Sequence, residues 1–138
     1  MTQNEKDILL KDICARLPYG VKVEYGNEIF AVEHVCPMYE EVKLDIPEAW
    51  TIDVSEVKPY LFPLSSITEE QYYEMMSCSS EDCLDHMEMV KSLRECTDFT
   101  HWPLYEYRVI DWFNKNHFDY RGLIPIGLAN DATGKNIY

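Results

Sequence analysis

Hydrophobic residues near the start of the chain recur with the period of an α-helix. Leu9, Ile13 and Leu17 are spaced four apart, and charged residues occupy the opposite side of the same segment. Asn4 is suited to cap such a helix at its first turn. The pattern therefore predicts an amphipathic helix over residues 5–17.

After this helix the spacing of hydrophobic residues changes from about four to two. A spacing of two is typical of half-buried strands. Gly26-Asn27 supplies a tight turn between the first two alternating runs. Short strands with tight connections predict an antiparallel meander or a small barrel of about four to five strands. The alternating runs cover residues 21–25, 28–35, 42–46, 52–54 and 57–61.

The part of the chain that follows Pro63 returns to helical spacing. It predicts helices over about 69–76, 81–95 and 104–116, a short helix after Tyr120, and a loop over 130–138. The whole order predicts an α+β fold in a single domain over residues 1–138. In that fold the N-terminal helix packs on a curved antiparallel sheet and the C-terminal half is helical.

Composition narrows the class of protein. The chain has 138 residues, of which 46% are hydrophobic, so one domain with a real core is expected. No apolar run is long enough to span a membrane, and the first residues do not resemble a secretory signal. Five cysteines without such a signal favour reduced thiols and a cytoplasmic location.

Charge is the most unusual feature of the composition. The net charge is −13, which disfavours direct binding of nucleic acid because that function needs clustered Lys and Arg. Residues 24–88 hold 16 acidic and 2 basic residues, a net charge of −14, whereas the rest of the chain has 9 acidic and 10 basic residues. This acidic middle is either a solvated surface or a face that meets a basic protein partner.

Metal and catalytic motifs are weak in this sequence. Cys78, Cys83, His86 and Cys96 are the best zinc candidates, but their spacing does not match the usual paired ligand motifs. A calcium loop of the D-x-[DN]-x-[DN]-G type is absent. The thiol of Cys36 lies two residues from His34 in a predicted strand, without a glycine-rich oxyanion loop. We therefore predict no metal and no cofactor, and the sequence favours a non-enzymatic protein over an enzyme.

Aromatic and charged residues are concentrated between residues 110 and 129. One interpretation is a small-molecule pocket in which Arg121 holds a phosphate or carboxylate and His117 or Asp119 orients that group. The alternative is a helix ending in a turn, with its aromatics in the core and Arg121 paired with Asp111 or Asp119. The candidate ligand-binding residues are Asp111, Trp112, His117, Asp119, Tyr120 and Arg121.

Three stretches carry a resemblance to a known group of proteins. They are LKDICARLPYGVKV (10–23), VKPYLFPLSSITEEQ (57–71) and IDWFNKNHFDYRGLIPIGLA (110–129). Together they resemble an uncharacterised family of short proteins from gut bacteria and from their phages and mobile elements. The resemblance implies a cytoplasmic protein with an accessory role, and it brings no activity or site residue with it.

These observations favour two functions and disfavour a third, a hydrolase that uses a thiol or a pair of carboxylates. The first is a non-enzymatic protein-interaction module of a phage or mobile element, which inhibits a host defence protein through the acidic middle. The second is a small-ligand binding protein of the nucleotide-binding type, with a pocket near His117 and Arg121. Neither function involves a membrane, and the sequence does not determine the oligomeric state.

Overall fold

A computed structural model describes residues 1–48, 50–77, 86–99 and 107–138 of the chain. Within these ranges, 3-10 turns connect several of the regular elements. The helices are α1 (Gln3–Arg16), α2 (Glu69–Ser77), α3 (His86–Glu95) and α4 (Tyr107–Lys115). The strands are β1 (Lys22–Tyr25), β2 (Glu28–Cys36), β3 (Glu41–Leu44), β4 (Thr51–Asp53), β5 (Lys58–Leu61) and β6 (Asn130–Asp131).

The six strands form one sheet in the order β4-β3-β2-β1-β5-β6. The first four strands are an antiparallel meander, β5 adds antiparallel to β1, and β6 adds parallel to β5. The α+β architecture predicted from the sequence is thus confirmed. Of the two predicted arrangements of strands, a meander and a small barrel, the strand order corresponds to the meander. A register shift between Val32 and His34 changes the pairing within β2.

Helix α1 packs on the sheet through the apolar face that its sequence predicts. Leu9 and Ile13 are fully buried in a cluster with side chains from β1, β2, β3 and β5. The helix begins two residues earlier than Asn4 suggested, because Thr2 and Glu5 form a reciprocal capping box. The cluster between α1 and the sheet is the larger of the two main hydrophobic cores among the described residues.

A second core lies among the C-terminal helices. Side chains of α2, α3 and α4 meet Phe99, Phe118 and Tyr120 there, and all three of these aromatics are buried. The predicted helices are present, although residues 78–85 and 100–106 lie outside the described ranges. None of the helices in the described ranges has both the length and the apolar run that crossing a bilayer requires.

The region after Tyr120 differs from the prediction. Residues 121–128 form turns rather than a short helix, and the predicted loop over 130–138 contains strand β6. Gly122 is part of the reason, since its φ is +73° and a Cβ there would lie 2.6 Å from the carbonyl oxygen of Thr97. The Thr97 carbonyl leaves no room for a side chain at position 122, and the positive φ of Gly122 is not that of a right-handed helix.

Candidate functional site

Helix α4 ends in a turn, and His117 is part of this turn. Its φ is +59°, a left-handed conformation in which histidine is among the more tolerated residues. Its carbonyl accepts a hydrogen bond from Phe62 N (2.8 Å), and Phe62 O accepts one from Asp119 N (2.8 Å). The backbone on both sides of Phe118 is therefore fixed against the segment that follows β5.

The His117 side chain is enclosed by an aromatic partner. Only 5% of the residue is exposed, and its imidazole stacks on the Tyr138 ring with a centroid distance of 3.7 Å and an interplanar angle of 7°. Tyr138 is anchored in turn, because its hydroxyl donates to Tyr60 O (2.8 Å) and accepts from Lys22 N (3.2 Å). The stacked pair therefore joins the end of α4 to the edge of the sheet.

Burial determines the charge state of this histidine. Desolvation lowers the pKa of His117 to about 4, and the positive charges of Arg16 and Lys22 act in the same direction. A hydrogen bond with the Tyr19 backbone and the charge of Asp12 oppose this shift. The imidazole is consequently neutral at pH 7. Its buried Nδ1 forms no hydrogen bond with any residue that the structure describes. A buried polar atom without a hydrogen-bond partner is uncommon in folded proteins.

A cleft of about 610 Å³ opens beside this histidine. Five aromatic rings and five neutral polar side chains account for most of its lining, and Lys115 is the one charged residue among the twelve described. The volume falls within the range of small-molecule sites. The lining consists of Tyr19, Phe62, Ser66, Thr68, Gln71, Lys115, Asn116, His117, Phe118, Thr133, Gly134 and Tyr138.

Of the six residues predicted from the sequence to bind a ligand, only His117 lines this cleft. Trp112 and Tyr120 are core residues, with exposed fractions of 5% and 0%. The Asp111 carboxylate is at the surface, where it accepts a hydrogen bond from the Tyr19 hydroxyl. The interpretation of this segment's aromatics as core residues is therefore correct for Trp112 and Tyr120.

The predicted pairing of Arg121 with Asp111 or Asp119 is wrong, and its predicted role in holding a ligand stays a prediction. Arg121 does not line the cleft, and its ion-pair partner is Asp12 (2.9 Å) rather than Asp111 or Asp119. Asp12 is completely buried and also binds the buried guanidinium of Arg16 (2.8 Å). Arg121 is thus committed to a structural charge network.

Asp119 has a local structural role. Its carboxylate accepts hydrogen bonds from Leu123 N and Ile124 N, both at 2.8 Å, and so shapes the turn that contains Gly122. Burial nevertheless raises the pKa of Asp119 above its ordinary value. This carboxylate satisfies two backbone donors, and Asp119 does not line the cleft beside His117.

The remaining candidates do not assemble into a site within the described residues. Among the residues that the structure describes, no group of three or more His, Cys, Asp or Glu side chains could hold a metal. Cys78, Cys83 and the side chain of His86 lie outside the described residues. On β2, His34 is exposed and Cys36 is half-buried, and these two share one face of the strand.

Comparisons with protein-family models, with curated proteins and with solved structures found no match.

Proposed function

We propose that the chain is a binding protein for a small ligand of the nucleotide type, and that the ligand occupies the cleft beside His117. The single observation that carries this proposal is the composition of the lining. Aromatic walls suit the face of a planar ring, and neutral polar groups suit its edge. Lys115, in the last turn of α4, can pair with a phosphate.

The charge of the lining is notable because it differs from that of the whole chain. The protein has a net charge of −13, yet none of the twelve described lining residues is acidic. Four of them, Phe62, Ser66, Thr68 and Gln71, belong to the acidic middle of the sequence. An anionic ligand would thus meet a cation and neutral dipoles in the cleft even though the net charge of the protein repels it.

The test is binding of the four nucleoside monophosphates, measured by thermal shift and calorimetry. At least one monophosphate should raise the melting temperature, because a ligand that binds only the folded state stabilises it. The corresponding nucleoside and inorganic phosphate should each bind more weakly. If no monophosphate binds, or if the nucleoside binds equally well, the proposal is contradicted.

The substitution Lys115→Met removes the charge of the side chain but keeps most of its length and volume. Loss of one charge-assisted contact should weaken monophosphate binding roughly tenfold and leave nucleoside binding unchanged. Lys11→Met is the matched control, because Lys11 is exposed on α1 and does not line the cleft. Equal losses in the two variants would remove Lys115 from the site.

A second candidate function is an interaction with a basic protein through the acidic middle. The observation that favours it is exposure of large side chains in that segment: Met38 is 83% exposed, and Tyr39 and Trp50 are each 67% exposed. Glu40 and Glu48 are their near neighbours in sequence. Exposed aromatics with acidic neighbours suit an arginine-rich surface, since Arg both pairs with carboxylates and stacks on rings.

An immobilised oligoarginine peptide tests this second function. The protein should be retained at low salt and released at high salt, and Trp50→Ala or Tyr39→Ala should release it at lower salt than the wild type. Tyr107→Ala is the matched control, because Tyr107 is 74% exposed and lies outside the acidic middle. Release of all three variants at the same salt concentration would show charge-driven adsorption without a specific surface.

A further inference from the structure

Two polar side chains at the start of α2, Thr68 and Gln71, line the cleft beside His117. They cap the helix reciprocally: Thr68 Oγ1 accepts a hydrogen bond from Gln71 N (3.1 Å), and Gln71 Oε1 accepts one from Thr68 N (2.9 Å). Thr68 O also accepts the first hydrogen bond of the helix, from Tyr72 N (2.9 Å). The cap therefore holds both side chains in a fixed position on α2.

The cap also determines which hydrogen-bonding groups Thr68 and Gln71 still offer. Because Thr68 N is a donor, the Gln71 amide presents its oxygen to the helix and keeps both N–H groups of Nε2. Thr68 Oγ1 accepts from the helix, so its hydroxyl proton is still available. Neither group donates to any residue that the structure describes. Thr68 is exposed and Gln71 is half-buried, so a ligand in the cleft can reach these donors.

Other hydroxyl groups in the lining are already used as donors. Ser66 Oγ donates to Pro63 O (2.7 Å), and the Tyr19 hydroxyl donates to the Asp111 carboxylate. These two oxygens can still accept a hydrogen bond from a ligand. The wall that Thr68 and Gln71 form differs from them because it offers donors.

Charges near the cleft indicate which part of a nucleotide meets this wall. Lys115, in the last turn of α4, is the cation to which we assign the phosphate. Glu69 and Glu70 occupy the first turn of α2, directly after Thr68, and repel a phosphate at that position. The arrangement therefore favours the phosphate beside Lys115 and the base beside the start of α2.

We propose that Gln71 and Thr68 are specificity-determining residues that donate hydrogen bonds to a carbonyl oxygen on the edge of the base remote from the ribose. This inference rests on the proposed nucleotide-type function and narrows the ligand to bases such as guanine, hypoxanthine and uracil. A carbonyl oxygen has two lone pairs and can accept from both side chains. Adenine and cytosine carry an amino group at the corresponding position, which would leave donors facing donors.

Inosine monophosphate and adenosine monophosphate test this inference by calorimetry. They are almost equal in size, and inosine carries a carbonyl where adenosine carries an amino group. Inosine monophosphate should bind about tenfold more tightly, and uridine monophosphate should exceed cytidine monophosphate similarly. Equal binding within both pairs, or a preference for the amino bases, would overturn the inference and leave the proposed function standing. If no monophosphate binds, the proposed function fails and this inference fails with it.

Gln71→Glu keeps the cap but removes the two donors, because glutamate is the usual partner of threonine in a capping box. The preference for inosine over adenosine monophosphate should fall to about twofold or less, while urea unfolding shows a stability close to that of the wild type. The ratio of the two affinities is the readout, because an effect of the new charge on the shared ribose phosphate cancels in it. A tenfold preference that survives this substitution would remove Gln71 from recognition.

Thr68→Asp is the corresponding test of the hydroxyl donor, since aspartate also caps a helix but donates no hydrogen bond. It should lower the preference for inosine monophosphate about threefold, and an unchanged ratio would mean that Gln71 acts alone. Gln3→Glu is the matched control for the added charge. Gln3 is exposed in the first turn of α1 and does not line the cleft, so this variant should keep the wild-type ratio.

Discussion

At the scale of single residues, His117 links the structure to a measurable pH dependence. Burial lowers the pKa of its imidazole to about 4 in the folded protein, against 6.5 for an exposed histidine. Between these two values the unfolded chain binds a proton that the folded protein does not bind. The free energy of unfolding should therefore fall as the pH falls from 6.5 toward 4, and the contribution of His117 should be fully present above pH 6.5.

The expected size of this effect is about 2 kcal/mol between pH 7.5 and pH 5, and urea unfolding at both pH values measures it. The variant His117→Asn has no imidazole and should lose this part of the pH dependence. Tyr138→Phe keeps the histidine buried and should retain it. If wild type and His117→Asn show the same change in stability over this range, burial does not hold His117 in its neutral form.

The sequence identifies some site residues but not their partners. His117 is a candidate from its residue type and its aromatic neighbours, and the structure places it in the cleft. Arg121 is a candidate for the same reasons, yet it pairs with Asp12, which lies 109 positions away in the sequence. Tyr138 carries no local signal, because its role depends on a stack with a residue from another element. Such pairings depend on tertiary packing, which residue spacing does not encode.

At the scale of elements, the pattern of apolar positions is a good guide wherever one face of the element is buried. The alternation in β1, β3 and β4 and the four-residue spacing in α1 both correspond to side chains in the sheet core. In β2 the register shift places buried Val32 and Val35 three residues apart, and β5 buries three consecutive residues. Strand β6 has only two residues, and residues 121–128 are shaped by Asp119 and Gly122 rather than by periodicity. Elements held by single side chains leave no periodic signature.

Arg16 is the connection between α1 and the turn after α4. It donates to Asp12 Oδ2 (2.8 Å) and to Phe118 O (2.8 Å), and it is completely buried. Burial by itself would lower the pKa of this guanidinium, but the charge and hydrogen bonds of Asp12 raise it. Arg16 therefore stays charged and holds two elements that are distant in sequence in one arrangement.

Replacing Arg16 tests this connection. Arg16→Met should reduce the free energy of unfolding by about 3–5 kcal/mol, because Asp12 and the Phe118 carbonyl lose a buried partner. Arg121→Met should cost less, on the order of 1–2 kcal/mol, because Asp12 keeps Arg16 and Arg121 is partly exposed. Urea unfolding measures both changes. Equal losses would mean that Arg121 satisfies Asp12 as fully as Arg16 does.

Removing both charges of the buried Asp12–Arg16 pair shows how much of the loss in Arg16→Met comes from leaving the Asp12 carboxylate buried without a partner. Asp12→Leu combined with Arg16→Met should be more stable than Arg16→Met alone, because no uncompensated carboxylate stays buried. The Phe118 carbonyl still lacks its donor in this variant, so wild-type stability should not be fully restored. A double variant less stable than Arg16→Met would show that the packing of Asp12, rather than its charge, determines the loss.

At the scale of the whole molecule, distant stretches of sequence meet at one cleft. Nine of its twelve lining residues come from residues 10–23, 57–71 and 110–129, and the other three come from the segment that carries Tyr138. Most of the acidic residues lie outside these stretches. Three of them pair with lysines: Glu40 (3.4 Å) and Asp53 (2.9 Å) with Lys6, and Glu33 (3.0 Å) with Lys43. The fold thus keeps carboxylates away from the lining of the cleft.

Because of the remaining negative charge, the free energy of unfolding should rise when salt is added. With a net charge of −13, repulsion between exposed carboxylates opposes the compact state, and dissolved salt screens that repulsion. Raising KCl from 10 to 300 mM should increase the free energy of unfolding by about 1 kcal/mol, since single exposed charges contribute a few tenths each. A variant with Glu28, Glu48 and Glu56 changed to Gln should start more stable at 10 mM KCl and gain less from added salt, because all three residues are exposed. Loss of stability on adding salt would instead mean that the Lys6 and Lys43 ion pairs outweigh the repulsion.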